Sequence, residues 1–337
     1  MDRQVSGGPL QLQGWLPAGT ACQDGQLFVD WLHFGKKRLL EPFFEDSICR
    51  ALREPFNQLF RQCTPMAVLE QWRQRQPGLT PTGFIFHMSR CGSTLVAQML
   101  AALPHNIVIS EAAPIDAVLR ASQTCPGLAD EEHVAWLRSM ISALGQARCG
   151  DERHLFIKFD SWHTLDLALI RRAYPAVPWI FLYRDPLEVL VSQLNRRGGQ
   201  MVPGLISPSL YGIDPATGMT MPALEYCARV LEVICQAALR HCDDGAARLV
   251  NYAQLSQALD EVVMPHFGLD CTTAERERMA AVTQFDVKSP TSHFTPDAAS
   301  KQAQATAAMR AAAEARLGPV YRQLEACSQR AAPQNRG

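Results

Sequence analysis

The sequence predicts an α/β fold. It implies a three-layer domain with a mostly parallel central sheet flanked by helices, preceded by a partly helical N-terminal extension. Two observations predict it. From Gly83 onward, short apolar runs alternate with longer stretches of helical periodicity, the pattern of strands joined by crossover helices. Hydrophobic residues make up 47% of the 337, enough to cover such a sheet on both faces. In sheets of this kind a ligand sits beyond the carboxyl ends of the strands. The residues that follow each strand are therefore the first places to look for chemistry.

The elements follow in order. Residues 1–25 are rich in Gly and Gln and read as loop or a loose hairpin, and Gln26–Phe34 reads as a strand. An aromatic turn, Glu41–Ser47, precedes a helix expected over Ser47–Cys63. Thr64-Pro65 suits an N-cap and first helical position, so a second helix is expected to run to Arg75, with Pro77–Thr82 as a linker. We take residues 1–80 as an extension packing its aromatics (Trp31, Phe34, Phe43, Phe44, Phe56, Phe60) on a main domain, 81–330. A substrate-facing aromatic wall is the alternative. Strands are expected at Phe84–Met88, Ile107–Ser110, Leu155–Lys158, Trp179–Tyr183 and Arg248–Asn251. Helices are expected between them, then over Ala253–Phe267, Thr273–Thr283 and the Ala-rich Ala303–Ala326. Gly198–Pro222 and Lys288–Ser300 read as long loops.

Net charge is −1, which argues against a general nucleic-acid binder. The eleven Cys form no CxxC and no zinc-spaced cluster with His. Cys227, Cys235 and Cys242 recur at roughly helical spacing and read as core thiols. Free thiols in this number, no apolar leader and no run of about 18 apolar residues lead us to expect a cytoplasmic protein without a membrane partner. Oligomeric state is open. The chain carries 27 Arg but only five Lys, so a Lys at a strand end draws notice.

The first strand feeds Ser89-Arg90-Cys91-Gly92-Ser93-Thr94 and then a helix. Loop N–H groups, the helix dipole and the Arg90 fork suit a phosphate or sulfate. An ordinary capped strand–helix turn is the plainer reading. The loop lacks the Lys and first Gly of a standard P-loop. After the second strand comes Glu111, either a general base or a helix N-terminal charge. After the third come Lys158, able to neutralise charge on a transferred group, and Asp160, a base or a helix cap; His163 reads as a surface or packing residue. After the fourth come Arg184, Asp185 and Pro186, with Ser192 two turns on; Arg184 and Ser192 could hold a phosphate.

Together these stretches resemble the sulfotransferases that use 3′-phosphoadenosine-5′-phosphosulfate (PAPS), over roughly residues 83–260. Phe86-His-Met-Ser-Arg-Cys-Gly-Ser-Thr-Leu95 is similar to the family's 5′-phosphosulfate loop in its Arg-containing form. Ile180-Phe-Leu-Tyr-Arg-Asp-Pro-Leu-Glu-Val-Leu-Val-Ser192 resembles its 3′-phosphate motif. The resemblance implies a P-loop-type domain in which Ser89, Arg90, Cys91, Gly92, Ser93 and Thr94 hold the 5′-phosphosulfate. It implies that Arg184 and Ser192 bind the 3′-phosphate, and that Tyr252 lies by the adenine. Ala253 and Gln254 depart from the family's Tyr-Glu-Asp-Leu stretch. The His base of cytosolic members is absent, because the spacing gives Lys158-Phe-Asp160. Glu111 is then the favoured base and Asp160 the second candidate, with Arg90 and Lys158 stabilising charge. The C-terminal Arg-Lys-Gly element is missing too, and Lys288 or Lys301 could replace it. PAPS would be the co-substrate, with no metal, and the acceptor a small-molecule or peptide hydroxyl. A magnesium- and ATP-dependent kinase with Asp185 as metal ligand, or a non-catalytic nucleotide binder, are the rival readings.

Overall fold

The computed structural model describes residues 11–282, 285–286, 289–293 and 297–331. The N-terminal segment builds a three-stranded antiparallel sheet from β1 (Trp15–Gln23), β2 (Gln26–His33) and β3 (Gln62–Pro65). Its hairpin turns on Asp24-Gly25, both with positive φ (50° and 74°), the geometry that matches strand twist and that Asp-Gly favours. The loose hairpin of the sequence reading is thus a regular one. The single helix expected over Ser47–Cys63 is corrected: Phe44–Ala51 and Pro55–Leu59 are separate helices, and β3 follows. Pro55 is the reason, since its ring and missing N–H are tolerated only at a helix start. Thr64 does not cap a helix; it lies within β3 and accepts a hydrogen bond from Trp31 Nε1 at 2.9 Å. The following helix runs Met66–Arg75.

The main sheet has five parallel strands, β4 (Pro81–His87), β5 (Asn106–Ser110), β6 (His154–Lys158), β7 (Trp179–Tyr183) and β8 (Ala247–Asn251), in the order β5-β6-β4-β7-β8. Every residue of β5 and of β7 is buried. Successive side chains point to opposite faces, so helices cover both. After β4 the chain crosses to one side of the sheet for β5 and β6, then to the other for β7 and β8. This change of direction opens a crevice at the carboxyl end of β4. Register brings the strand ends level: Ser110 pairs with Lys158, Ile85 with Lys158, and Tyr183 with Asn251.

The N-terminal sheet packs β1 against the Ala113–Leu119 and Asp130–Leu144 helices. Trp31, Phe34 and Phe44 join one continuous apolar core, whereas Phe56 and Phe60 are exposed. Two long helices of the sequence reading are interrupted. In 253–267 a π turn at Leu259–Val263 precedes Pro265, whose missing N–H disrupts the α ladder. The Ala-rich stretch breaks after Gln304, where Thr306 Oγ1 caps a new helix by accepting the Met309 N–H at 3.2 Å. Within Gly198–Pro222, Asp214 caps a short helix, Pro215–Thr220. No helix among the described residues is long and apolar enough to cross a membrane.

Candidate functional site

The loop after β4 is held in a conformation that L-residues avoid. Ser89 and Arg90 have φ of 79° and 53°, and Gly92 has 83°. Left-handed backbone costs roughly 1–2 kcal/mol per non-Gly residue, and such outliers persist only where surroundings enforce them. The enforcing contacts are specific. The Ser89 N–H donates to His87 Nδ1 at 3.0 Å, and Ser89 Oγ accepts from Gln193 Nε2 at 2.9 Å. Arg90 Nη2 donates to the Arg196 carbonyl at 2.6 Å. The Cys91 thiol turns into the core, donating to the Leu182 carbonyl at 3.1 Å; burial pushes it up to about 12. Only the backbone of Cys91 is therefore available to a ligand. Gly92 then starts the Ser93–Ala101 helix, with Ser93 and Thr94 buried in its first turn.

Gly92 is required for a second reason. A Cβ there would meet the Tyr252 ring at 2.8 and 2.9 Å, so this aromatic lies flat against the loop. Substitution Gly92→Ala combines that clash with a forbidden φ. A loss of about 2–3 kcal/mol in stability is expected, together with loss of anion binding. Urea unfolding and titration calorimetry on one preparation would check both.

Tyr252 carries the site outward. The Arg184 guanidinium stacks over its ring, 4.3 Å from the centroid, a cation–π contact. The buried Arg184 donates through Nε to Glu188 at 2.6 Å and through Nη2 to Asp297 at 2.6 Å. Asp297 also pairs with Lys301 at 2.7 Å. Arg184 and Lys301 thus converge on one carboxylate, an anion seat already filled by the chain itself. Burial alone would raise the Asp297 carboxyl; hydrogen bonds from Lys301 and Arg184 outweigh it and hold it below its ordinary value. Ser192 is half-buried on the Pro186–Asn195 helix. The polar partners of the Arg184 guanidinium among the described residues are Glu188 and Asp297, not Ser192. A cavity of about 580 Å³ adjoins Arg184, Tyr252 and Asp297, with Leu95, Met99, Leu255 and Met279 as apolar walls. Lys288 lies outside the described residues. Asp185 caps its helix, accepting the Glu188 N–H at 3.1 Å.

On the other side of the loop, Lys158 is fully buried and pairs with Glu111. A buried ammonium is tolerable only with such a partner. The Phe43 ring also faces it, with Nζ 5.4 Å from the centroid. Glu111 does not serve as a helix cap: its φ is 55°, and Ala112 holds the N-cap position of the next helix. Its N–H donates to the Lys158 carbonyl at 2.8 Å, and His87 Nε2 stands 3.3 Å from its carboxylate. Because His87 Nδ1 accepts the Ser89 N–H, its proton sits on Nε2, facing Glu111 and the Phe159 carbonyl at 3.1 Å. Burial alone would raise Glu111, but the charge of Lys158 and the His87 hydrogen bond overcome this and hold it well below the usual carboxylate range. Asp160 goes the other way. Burial pushes it up to about 7, with Glu111 adding to the rise against the opposing charges of His163 and Lys158. His163 is buried rather than superficial, bonded to Asp116 at 2.7 Å, and its Nδ1 accepts the Asp160 N–H at 3.2 Å.

No family model matches this sequence, and no curated protein does. Among the solved structures that resemble the chain are three sulfotransferases. Sulfotransferase STF1 from Mycobacterium tuberculosis H37Rv is 17% identical over 63% of this chain and 76% of its own, with a TM-score of 0.41. The sulfotransferase domain of the Synechococcus PCC 7002 olefin synthase is 17% identical over 74% and 95%, with a TM-score of 0.41. A sulfotransferase from Alicyclobacillus acidocaldarius is 14% identical over 74% and 96%, with a TM-score of 0.44. The chemistry of this chain is argued from its own residues.

Several residues that shape the site were not singled out in the sequence. His87 links the loop to Glu111, and its signal was present, a His at the end of an apolar strand directly before the anion loop. Gln193, fully buried, ties Ser89 to the Gly198 N–H at 2.9 Å through its Oε1. Asp297 comes from a segment distant in sequence, and no local pattern marks it.

Proposed function

We propose that this chain is a sulfotransferase that moves the sulfuryl group of PAPS to a hydroxyl or phenol of an acceptor. Residues 81–330 form the catalytic unit and 1–80 an extension that lends it Phe43. One observation carries the reading. Arg184, stacked on Tyr252, which itself lies on Gly92, supports a second anion seat one nucleoside away from the loop. The residues fit the donor: Asp297 already sits between Arg184 and Lys301 as a stand-in anion, and the apolar cavity suits a base. In this reading Arg90, Gly92, Ser93 and Thr94, with the N–H groups of Ser89 and Cys91, hold the 5′-phosphosulfate. Arg184, Ser192 and Lys301 hold the 3′-phosphate, and Tyr252 borders the adenine. PAPS supplies an activated sulfuryl group.

The chain's own residues do the rest. Lys158 and Arg90 stabilise charge that builds on the sulfuryl oxygens and the leaving phosphate. Glu111 is the favoured proton acceptor and Asp160 the second candidate. While Lys158 faces Glu111 the carboxylate is ionised but weakly basic. Once Lys158 turns to the transferring group, Glu111 loses its counter-charge and its basicity rises. The test is calorimetry with adenosine 3′,5′-bisphosphate against ADP. A preference of roughly tenfold or more for the 3′-phosphate is expected, worth about 1.4 kcal/mol. Equal affinity for the two would sink the reading.

A further inference from the structure

We propose that Cys242 and Cys327 form a redox-modifiable pair, a site at which a hydroperoxide joins the C-terminal helix to the turn that follows the Ala223–Leu239 helix through a disulfide. The two sulfurs lie 3.2 Å apart although both cysteines are free thiols. The two residues are 85 positions apart in the chain. The sequence spacing had grouped Cys242 with the core thiols Cys227 and Cys235. It instead lies beyond the end of that helix and is half-buried, while the other two are buried.

The surroundings are asymmetric in a way that assigns roles. Cys327 Sγ accepts from the Cys242 thiol and also from Arg330 Nη2 at 2.9 Å. The Arg330 guanidinium thus sits against the Cys327 sulfur, placed to pair with the negative charge that develops as that sulfur attacks. Burial and the neighbouring Cys327 push the Cys242 thiol up to about 12, so Cys242 is the resolving partner. An open pocket of about 660 Å³ reaches both sulfurs, lined by Leu239, Asp243 and Gln323 besides Arg330. A small peroxide therefore has access.

The chemistry closes. Cys327 sulfur attacks one peroxide oxygen, the O–O bond breaks, and the departing alkoxide or hydroxide takes the Cys327 proton. Cys327 is now a sulfenic acid. Cys242 sulfur attacks it, an S–S bond forms, and hydroxide leaves with the Cys242 proton as water. Two thiols lose two electrons, and the peroxide is reduced to an alcohol, or to water. The sulfurs need approach by only about 1 Å to reach bonding distance.

The bond would brace the site from behind. In the C-terminal helix Gly318–Ala331, Tyr321 and Glu325 accept hydrogen bonds from Asn251 Nδ2 at 3.0 and 2.6 Å, and Ser328 Oγ donates to the Leu249 carbonyl at 2.8 Å. Asn251 ends β8 and directly precedes Tyr252.

The experiment treats the full purified chain with hydrogen peroxide and maps tryptic peptides without reduction. The expected result is one intramolecular link between the peptides of Cys242 and Cys327, a mass loss of about 2 Da, and free thiols falling from eleven to nine. The transition temperature should rise by roughly 3–8 °C, reversed by dithiothreitol. Either Cys242→Ser or Cys327→Ser should abolish the link. In C242S, dimedone should label Cys327. Peroxide that leaves eleven thiols, oxidises other cysteines first, or yields only crosslinks between chains overturns the proposal. A Cys22→Ser control, at an exposed thiol elsewhere, should still form the link.

Discussion

Replacing Arg184 with alanine is expected to weaken binding of adenosine 3′,5′-bisphosphate by roughly 30- to 100-fold, the worth of a buried charge-assisted hydrogen bond of about 2–3 kcal/mol. Arg184 is buried, and its planar face is fixed by Tyr252. The same substitution also costs stability, because Glu188 is buried and Arg184 is its counter-ion. An unpaired buried carboxylate costs about 3 kcal/mol or more. Folding and binding losses would then be confounded, and Lys301→Met separates them. Lys301 pairs with a half-exposed Asp297, so its loss is worth little in folding yet removes a cation from the seat. About tenfold weaker binding at an unchanged transition temperature is expected. Asp297→Asn should act in the opposite direction, because it removes the resident anion with which the ligand competes. Calorimetry on the three variants at two salt concentrations would decide. Unchanged affinity in both R184A and K301M would place the second anion elsewhere.

How much of this was legible depends on the range of the interaction. The five strands of the main sheet were readable to within a few residues because each is a short apolar run buried on both faces, a signal carried by the strand itself. The rule that ligands gather at strand ends then named Arg90, Glu111, Lys158, Asp160 and Arg184 as candidates, and the parallel register brings these ends level. What failed were judgements that depend on a partner elsewhere in the chain. Asp160 does take the N-cap position read for it; what the sequence did not show is its perturbation, which depends on Glu111, forty-nine positions earlier, and on how deeply both are covered. The Ser47–Cys63 helix failed for a local reason, Pro55, which starts a new helix instead of continuing the first. Phe43 was grouped with aromatics that pack inward, and only the docking of the N-terminal segment brings it to Lys158. The coupling of Arg184 to Glu188 could have been read from their spacing of four residues on a helix start, which is also why R184A is a less clean probe than the motif alone implies.

Glu111 and Asp160 are separable by pH. If Glu111 is the base, Glu111→Gln should lower turnover by roughly 10²–10⁴, with donor binding intact, while Asp160→Asn leaves most of it. If Asp160 is the base, the reverse holds, and the wild-type rate should rise through an inflection near the value of about 7 to which burial pushes this carboxyl. An inflection well below that assigns the base to Glu111, whose ionisation Lys158 and His87 favour. Stability gives an independent reading of Asp160. Its folded-state value lies above the ordinary 3.8, so between those limits the folded chain holds a proton that the unfolded chain has released. Stability must then fall as pH rises through that window and level off above it. The drop is at most about 4 kcal/mol, at 1.36 kcal/mol for each unit. Asp160→Asn keeps the shape and the capping position but removes the ionisation. The variant should match wild type near pH 4 and unfold at a higher temperature near pH 8. Equal transition temperatures at both pH values would mean that Asp160 ionises as an ordinary carboxylate, and the case for it as a base would go with its perturbation. Measured against Glu111→Gln, wild type should show the opposite slope, because a depressed carboxyl adds stability that is present at neutral pH and is lost as acid protonates it.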